Sequence, residues 1–273
     1  MIVVTGGAGF IGSAIVWGLN RKGIRDIVIV DHLDTSEKWR NLVGLRYLDY
    51  YDKTEFAELI ETGDLPYSVD TCFHMGACSS TTEKDSGYLM ENNFKYSQRI
   101  AEWAVRNVIR LIYASSAATY GDGSNGFSDD EDRLDALQPL NMYGYSKQLF
   151  DLWCREKGYY SEFTGLKFFN VYGPNEYHKG EMRSMVHKGY EQIKSRGKIR
   201  LFQSNRDEYA HGEQERDFIY VKDAVGILLK IHDNKNIYGI YNLGSGTART
   251  WNDLAGALFD ACDIDPDIEY IDM

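Results

Sequence analysis

One stretch near the amino terminus limits this chain more than any other: Thr5-Gly6-Gly7-Ala8-Gly9-Phe10-Ile11-Gly12. Before it, Ile2, Val3 and Val4 form a continuous apolar run, as in a strand buried on both faces of a parallel sheet. After it, Ser13 to Lys22 reads as a helix with Ile15, Val16 and Leu19 on one face, and Gly23 offers a stop. Asp26 to Val30 reads as a second strand that ends in Asp31. Gly7, Gly9 and Gly12 satisfy G-x-G-x-x-G, and Gly6, Gly9 and Gly12 satisfy G-x-x-G-x-x-G. Glycines permit a tight turn and a close backbone approach to a pyrophosphate at a helix N-terminus. Asp31, 19 residues after Gly12, is spaced to take ribose hydroxyls. Strand, glycine turn, helix, strand and acid together predict a dinucleotide-binding α/β sheet.

Asp31 alone favours NAD, because a carboxylate repels a 2′-phosphate. Lys38, Arg40 and Lys53 follow and either supply compensating charge or lie as solvated surface, so spacing leaves NAD and NADP open. The whole chain is acidic: Lys plus Arg is 30 and Asp plus Glu is 41, a formal net charge of −11. That balance argues against nucleic-acid and polybasic membrane partners. No apolar stretch approaches the roughly 18–20 residues that a membrane-spanning helix needs. Met1 runs into a strand without a basic region or cleavage site, so no secretory signal is expected. Cys72, Cys78, Cys154 and Cys262 show no C-x-x-C spacing, which suits free thiols in a reducing compartment and no metal site.

Further along, Asp70 to His74 predicts a short strand that ends in Gly76-Ala77, where small residues let the backbone pass close to a cofactor. Asn92 and Asn93 precede a helix with Ile100, Trp103, Ala104 and Val108 on its apolar side. Either Asn can cap it, and Asn92 can instead bond beside a nicotinamide. Leu111 to Ala114 predicts another buried strand, ending in Ser115-Ser116. Tyr143 and Lys147 then stand four apart, on one face of a helix. A nearby ammonium lowers a phenol's pKa, so Tyr143 is expected to act as a base while Ser116 polarises a substrate oxygen. Tyr145 has Leu149 four residues later and is the weaker candidate.

These features together resemble the extended short-chain dehydrogenase/reductase superfamily, which uses Ser–Tyr–Lys on a Rossmann sheet. Phe169-Asn170-Val171-Tyr172-Gly173-Pro174 looks like its strand-end motif beside the sugar site. Family dehydratases carry acids directly after the active-site Ser or Thr. Here those positions are Ala117 and Ala118, which favours redox-neutral epimerisation. Gly76-Ala77-Cys78-Ser79-Ser80-Thr81-Thr82-Glu83, Asn170 to Pro174 with His178-Lys179-Gly180, Arg216 to Val221 and Tyr241 to Gly246 closely resemble the ADP-L-glycero-D-manno-heptose 6-epimerase family. The likeness runs over essentially the whole chain.

The resemblance implies a C6″ epimerase of ADP-heptose that supplies the lipopolysaccharide inner core, cytoplasmic and homo-oligomeric, often pentameric. It implies Tyr143 and Lys179 as the acid/base pair, with Ser116 and Lys147 in support. It implies a cofactor site at Gly6, Gly9, Phe10, Ile11, Gly12, Asp31, His32, Lys38, Lys53, Met75, Gly76, Ala77, Cys78, Ser79, Asn92, Lys147, Val171 and Lys179, loaded mostly with NADP, with NAD possible. Ser116, Asn170, Glu181, Lys188, Leu201, Phe202, Gln203, Ser204 and Arg216 are then expected at the substrate, Arg216 on the diphosphate. His32 and Met75 depart from the Asn and Glu expected there, and Glu181 replaces a small polar residue. His187 competes with Lys188 for a substrate role, and residues 205 to 215 make a longer polar loop than the family pattern.

The expected fold is α/β: a Rossmann doubly wound parallel sheet over 1–170 with a return segment at 217–246. A smaller substrate domain is expected over 171–216 and 247–273. Family members continue some tens of residues further, so this domain is expected to be C-terminally truncated. The rival enzyme is an NAD-dependent UDP-hexose 4-epimerase, against which His178-Lys179-Gly180 counts. A non-catalytic NADP-binding regulator is the rival outside enzymes, against which intact Ser116, Tyr143 and Lys147 count.

Overall fold

The computed structural model describes residues 1–205 and 207–272, so Arg206 of the polar loop and Met273 lie outside the described residues. Contacts gather the chain into two units, Met1–Phe168 with Lys222–Leu243, and Phe169–Val221 with Gly244–Met273.

The first unit opens with β1 (Ile2–Thr5), α1 (Phe10–Arg21), β2 (Ile27–Asp31), β3 (Asp49–Asp52) and α2 (Lys53–Thr62). β4 (Thr71–His74) follows, then α3 (Ser86–Leu89), a π-helical stretch at Met90–Lys95 and α4 (Tyr96–Arg106). β5 (Arg110–Ser116), α5 (Met142–Glu156) and β6 (Thr164–Phe168) come next. The second unit supplies β7 (Asn170–Tyr172), α6 (Met185–Arg196), β8 (Ile199–Phe202) and β9 (Glu215–Tyr220). The chain returns through α7 (Val221–Asp233) and β10 (Gly239–Leu243), and β11 (Ala248–Thr250), α8 (Trp251–Cys262) and β12 (Ile268–Ile271) close the second unit.

Among the described residues, the first unit's strands form one seven-stranded sheet in the order β10-β6-β5-β4-β1-β2-β3. Every pairing in it is parallel. The apolar runs explain why: Val3, Val4, Ile27 to Val30, Cys72, Phe73, Leu111 and Ile112 are all buried, as strands covered on both faces require. Strand order reverses at β1, with β2 and β3 on one side and β4 and β5 on the other. In open α/β sheets the crevice outside the carboxyl ends of the strands at such a reversal is where ligands bind. This is the expected Rossmann architecture. Val108 departs from its expected place on an apolar helix face: α4 has already ended, and Val108 is 93% exposed with φ of +56°.

The glycine turn sits at the reversal. Gly6 has φ of +65°, and an ideal Cβ on it lies 2.7 Å from the backbone nitrogen of Gly76. A Cβ on Gly12 lies 2.1 Å from the Gly6 carbonyl oxygen, inside any permissible contact. The first turn of α1 therefore seats on the β1 turn only without a side chain at Gly12.

The second unit holds a three-stranded sheet, β11-β9-β7, and a two-stranded parallel pair, β12-β8. Its core is Ile193, Ile199, Leu201, Ala255 and Phe259. α8 starts in a reciprocal cap, Thr250 accepting from the Asp253 N–H while Asp253 accepts from the Thr250 N–H.

Two alanine substitutions should move stability in opposite directions. Gly12→Ala overpacks the turn and should cost about 1–3 kcal/mol or more. Gly226→Ala, exposed inside α7 with open space at its Cβ, should gain about 0.5–1 kcal/mol. Urea unfolding of both variants checks the pair, and an unchanged midpoint for Gly12→Ala would contradict the close packing.

Candidate active site

Gly9, the residue before α1, gives it no side-chain cap, whereas Asp52, Asn141 and Ser184 cap α2, α5 and α6. Its N-terminus, bare of acids in the first turn, suits an anionic pyrophosphate. Asp31 ends β2 beside the turn, buried and fully engaged. It accepts from the Ala8 N–H at 2.9 Å, the His32 N–H at 2.7 Å and Lys38 Nζ at 2.6 Å. Asp31 thus braces the glycine turn, and its charge is met by Lys38. His32 turns to Asp52 at 2.8 Å, and Lys53 Nζ donates to Asn92 Oδ1 at 2.6 Å. Phe10, Gly12, Met75, Gly76 and Ala77 all belong to the two apposed turns, Met75 donating its N–H to the Thr5 carbonyl at 3.2 Å.

A chain of hydrogen bonds behind these turns assigns every proton. Ser97 Oγ donates to the Asn93 carbonyl at 2.6 Å, so its oxygen must accept from His74 Nε2 at 2.9 Å. The other ring nitrogen, Nδ1, then accepts from the Thr5 hydroxyl at 2.7 Å, and Thr5 Oγ1 receives the Gly76 N–H at 3.1 Å. His74 is therefore neutral with its proton on Nε2. Burial, helped by the Lys147 charge, pushes its pKa down to about 3.

Asn93, in the π-helical stretch, extends the chain. Its amide accepts from the Cys78 N–H at 2.8 Å and donates to the Cys78 carbonyl at 3.0 Å and to Ser146 Oγ at 3.1 Å. It holds the Cys78–Ser79 segment against α5. The buried Asn is thus Asn93, not Asn92, and neither caps a helix. The sequence offers Asn93 only as a cap, although Asn93 stands seven residues before Ile100 and eleven before Ala104, on the same buried helical face.

Tyr143 and Lys147 lie in the first turns of α5, set by the Asn141 side chain accepting from the Gly144 N–H at 2.8 Å. Lys147 Nζ donates to the Ala114 carbonyl of β5 at 2.9 Å. Burial lowers its pKa to about 8, against the opposing effects of Asp151 and Cys78. Burial raises the Tyr143 phenol above its ordinary value, and a hydrogen bond from Ser116 offsets part of the rise. The expected lowering of this phenol by Lys147 is not what the structure shows: burial dominates, and the group that lowers it is Ser116. The structure brings Ser116, Tyr143 and Lys147 together at the carboxyl end of β5, a group able to carry and stabilise a proton.

In the second unit Lys179 is half-buried, and burial lowers its pKa against the charge of Glu176. Glu176 is itself locked, accepting from the Gly173 N–H at 3.1 Å and Ser184 Oγ at 2.8 Å. Lys188 pairs with Glu181 at 3.2 Å, and His187 lies against Arg183 at 3.4 Å. Along β8, Leu201 points into the core while Phe202 is exposed, so Leu201 can offer a ligand only its backbone. Gln203 N–H donates to the Ile271 carbonyl and Ser204 N–H to His211. Asn170 Nδ2 donates to the Asp217 carbonyl at 3.1 Å, and Val171 pairs with Ile219. Arg216 is exposed over the Trp251 ring at 5.9 Å. Asp217 turns away from it to accept from the Ser245 and Gly246 N–H groups.

The His74 assignment has a measurable consequence. The folded state excludes a proton that the unfolded state takes up near pH 6.5, so stability should fall as pH drops from about 6.5 toward 3, by at most about 1.4 kcal/mol per pH unit from this group. Urea unfolding between pH 7 and 4 should show a shallower loss in His74→Gln than in the unmodified chain. Parallel slopes would contradict the neutral, buried imidazole.

Among the described residues, no cluster of His, Cys, Asp and Glu could hold a metal ion, and no helix is long and apolar enough to cross a membrane. The family profile described as NAD dependent epimerase/dehydratase matches residues 2–244. An ADP-L-glycero-D-manno-heptose-6-epimerase of Nitratidesulfovibrio vulgaris is 58% identical over 273 residues, covering 100% of this chain and 84% of the relative. Its namesake from Fusobacterium nucleatum is 49% identical over 260 residues, covering 94% of this chain and 78% of the relative. The crystal structure of the Helicobacter pylori ADP-L-glycero-D-manno-heptose-6-epimerase superposes with a TM-score of 0.84 at 27% identity, covering 99% of this chain and 84% of that one. A Thermotoga maritima UDP-glucose 4-epimerase follows at a TM-score of 0.80 and 27% identity, covering 99% and 85%. With its glycine turn, its Ser116–Tyr143–Lys147 group and relatives of this identity, the chain belongs to the NAD dependent epimerase/dehydratase family, among the ADP-L-glycero-D-manno-heptose 6-epimerases.

Proposed function

We propose that this epimerase inverts C6″ of the heptose in ADP-glycero-D-manno-heptose, from D-glycero to L-glycero, by direct oxidation and reduction with NADP bound. The observation that carries the reading is the Ser116–Tyr143–Lys147 group at the end of β5, in the same unit as a turn that leaves a bare helix N-terminus. Ala117 and Ala118 follow Ser116, so the acid and base that dehydration needs at those positions are missing.

The residues present fit a nicotinamide dinucleotide. A side chain on Gly6 or Gly12 would drive apart the backbone turns that set the start of α1, and α1 offers a pyrophosphate an N-terminus with no side-chain cap. When bound, the nicotinamide supplies hydride acceptance and return at the sugar carbon. Lys38 on Asp31 supports NADP over NAD, because a carboxylate already holding an ammonium and two N–H groups opposes a 2′-phosphate less than an open one.

Tyr143 takes the hydroxyl proton of the carbinol as it becomes a ketone, or returns it in the reverse sense. Ser116 steadies that oxygen. Lys147, held on the Ala114 carbonyl, places its charge behind the phenol. Inversion needs reduction from the opposite face, hence a second proton carrier for the reoriented sugar. Lys179 takes that role in this reading, and its burial-lowered pKa suits proton transfer nearer neutrality. Arg216 supplies the guanidinium for the diphosphate, with Asn170 and the Phe202–Ser204 segment at the sugar nucleotide.

The test is conversion of ADP-D-glycero-D-manno-heptose followed by chromatography. Tyr143→Phe and Lys179→Met should each lower kcat by about 10²–10⁴-fold with unchanged circular dichroism. Near-normal turnover in both would discard the two-residue scheme, and turnover of UDP-galactose in place of ADP-heptose would reassign the substrate. Mass spectrometry of the copurified cofactor should find NADP. NAD alone would overturn that choice without disturbing the reaction class.

A further inference from the structure

α5 carries a third polar residue in register with the first two: Tyr143, Lys147 and Asp151 stand four apart on one helical face. Asp151 is fully buried, and so is Lys167 of β6, whose Nζ meets its carboxylate at 2.7 Å. A buried ion pair is a poor source of stability, because desolvation consumes the attraction. What this one contacts gives it another use.

Asp151 accepts from the Ser115 hydroxyl at 2.6 Å and the Tyr113 hydroxyl at 2.9 Å. Lys167 also donates to Thr119 Oγ1 at 2.8 Å, and Thr119 in turn donates to the Ser116 carbonyl at 2.8 Å. Ser115 and Ser116 are thus tied to this ion pair, and Lys147 holds the carbonyl of the preceding Ala114. Tyr160 closes it, bonding the Tyr113 hydroxyl at 2.7 Å and the Asp151 carbonyl at 3.1 Å.

We propose that Asp151 and Lys167 are positioning residues for the reaction: their ion pair fixes the strand end that carries Ser116, and its near-neutral total charge sets the field on Lys147 and Tyr143. The proposal rests on the reading of Tyr143 as a proton carrier. Within the first unit, the groups that bear on that carrier or on Lys147 are Asp151 on α5, Cys78 after β4, Ser116 on β5 and His74 on β4, while Tyr113 of β5 and Lys167 of β6 meet Asp151 itself. His74 is neutral, so the ion pair is the adjustable charge. Breaking it from either side should act with opposite sign. Asp151→Asn leaves the Lys167 cation unmatched, which favours phenolate at Tyr143 and disfavours ammonium at Lys147. Lys167→Met leaves the Asp151 anion unmatched and does the reverse.

The readout is the ultraviolet phenolate titration of Tyr143, taken as the difference between each background and the same background carrying Tyr143→Phe. The phenolate limb should move to lower pH by about one pH unit in Asp151→Asn and to higher pH by a similar amount in Lys167→Met. It should return to the unmodified position in Lys167→Arg, and in Asp151→Asn/Lys167→Met, which removes both charges and keeps the fold accessible if a single variant does not fold. In turnover, Asp151→Asn should lose about tenfold or more in kcat with little change in KM, since the loss is of alignment and not of binding. A limb that stays fixed, or moves the same way in both single variants while only the unfolding midpoint changes, would reduce the pair to a structural role. Because the titration needs no substrate, it decides this point even if ADP-heptose is not turned over.

Discussion

Gly6 and Gly76 meet backbone to backbone where the strand order reverses, and the geometry of the cofactor side follows from that contact. Two turns that carried side chains there would be forced apart. The first turn of α1 would then lose its seat against the Gly6 carbonyl, and the Gly76–Ser79 segment would lose its line toward α5. The contact is made from backbone, so it offers nothing apolar to hold it shut. Buried polar side chains do that work: Thr5 and His74 tie Gly76 to Ser97, and Asn93 ties Cys78 to Ser146.

The same logic recurs at β5. β5 outruns β4, so its residues 114 to 116 pair only with β6, and their remaining buried backbone and hydroxyl groups need partners. Lys147, Asp151 and Thr119 provide them for residues 114 to 116. The Ser116–Tyr143–Lys147 group is thereby held between two polar networks, one anchored on a neutral imidazole and the other on an ion pair. Burial is the dominant influence on its charges, lowering Lys147 and raising Tyr143. Both directions suit the proposed mechanism, in which the phenol stays protonated until a substrate oxygen exchanges a proton with it.

Much of this was legible in the sequence where the signal is local. The apolar run Ile2 to Val4, the glycine spacing and Asp31 lie within thirty residues and define one strand–turn–helix–strand unit. Tyr143 and Lys147 follow from helical period alone. What escaped depends on distant partners or altered period. Asn93 looks like a helix cap, but it lies inside the π-helical stretch, buried against Cys78 and Ser146. His74 reads as the last residue of an apolar strand, and its role appears only with Ser97 beside it. Lys167 is a lysine in an apolar strand, a conflict that could have flagged a buried partner. Leu201, expected at the substrate, is core because β8 alternates sides and its neighbour Phe202 takes the exposed position. In the second unit β7 pairs with β9 from 48 residues away, a register that no local pattern announces.

The central claim is that inversion occurs by oxidation and reduction at one carbon, with the protein moving only the hydroxyl proton. That carbon's own hydrogen is then never exchanged with water. Conversion of ADP-D-glycero-D-manno-heptose in deuterium oxide, read by proton NMR at C6″, tests this directly. The account predicts the L-glycero product with protium retained at C6″. Deuterium at that carbon, or no epimer at all, would contradict it.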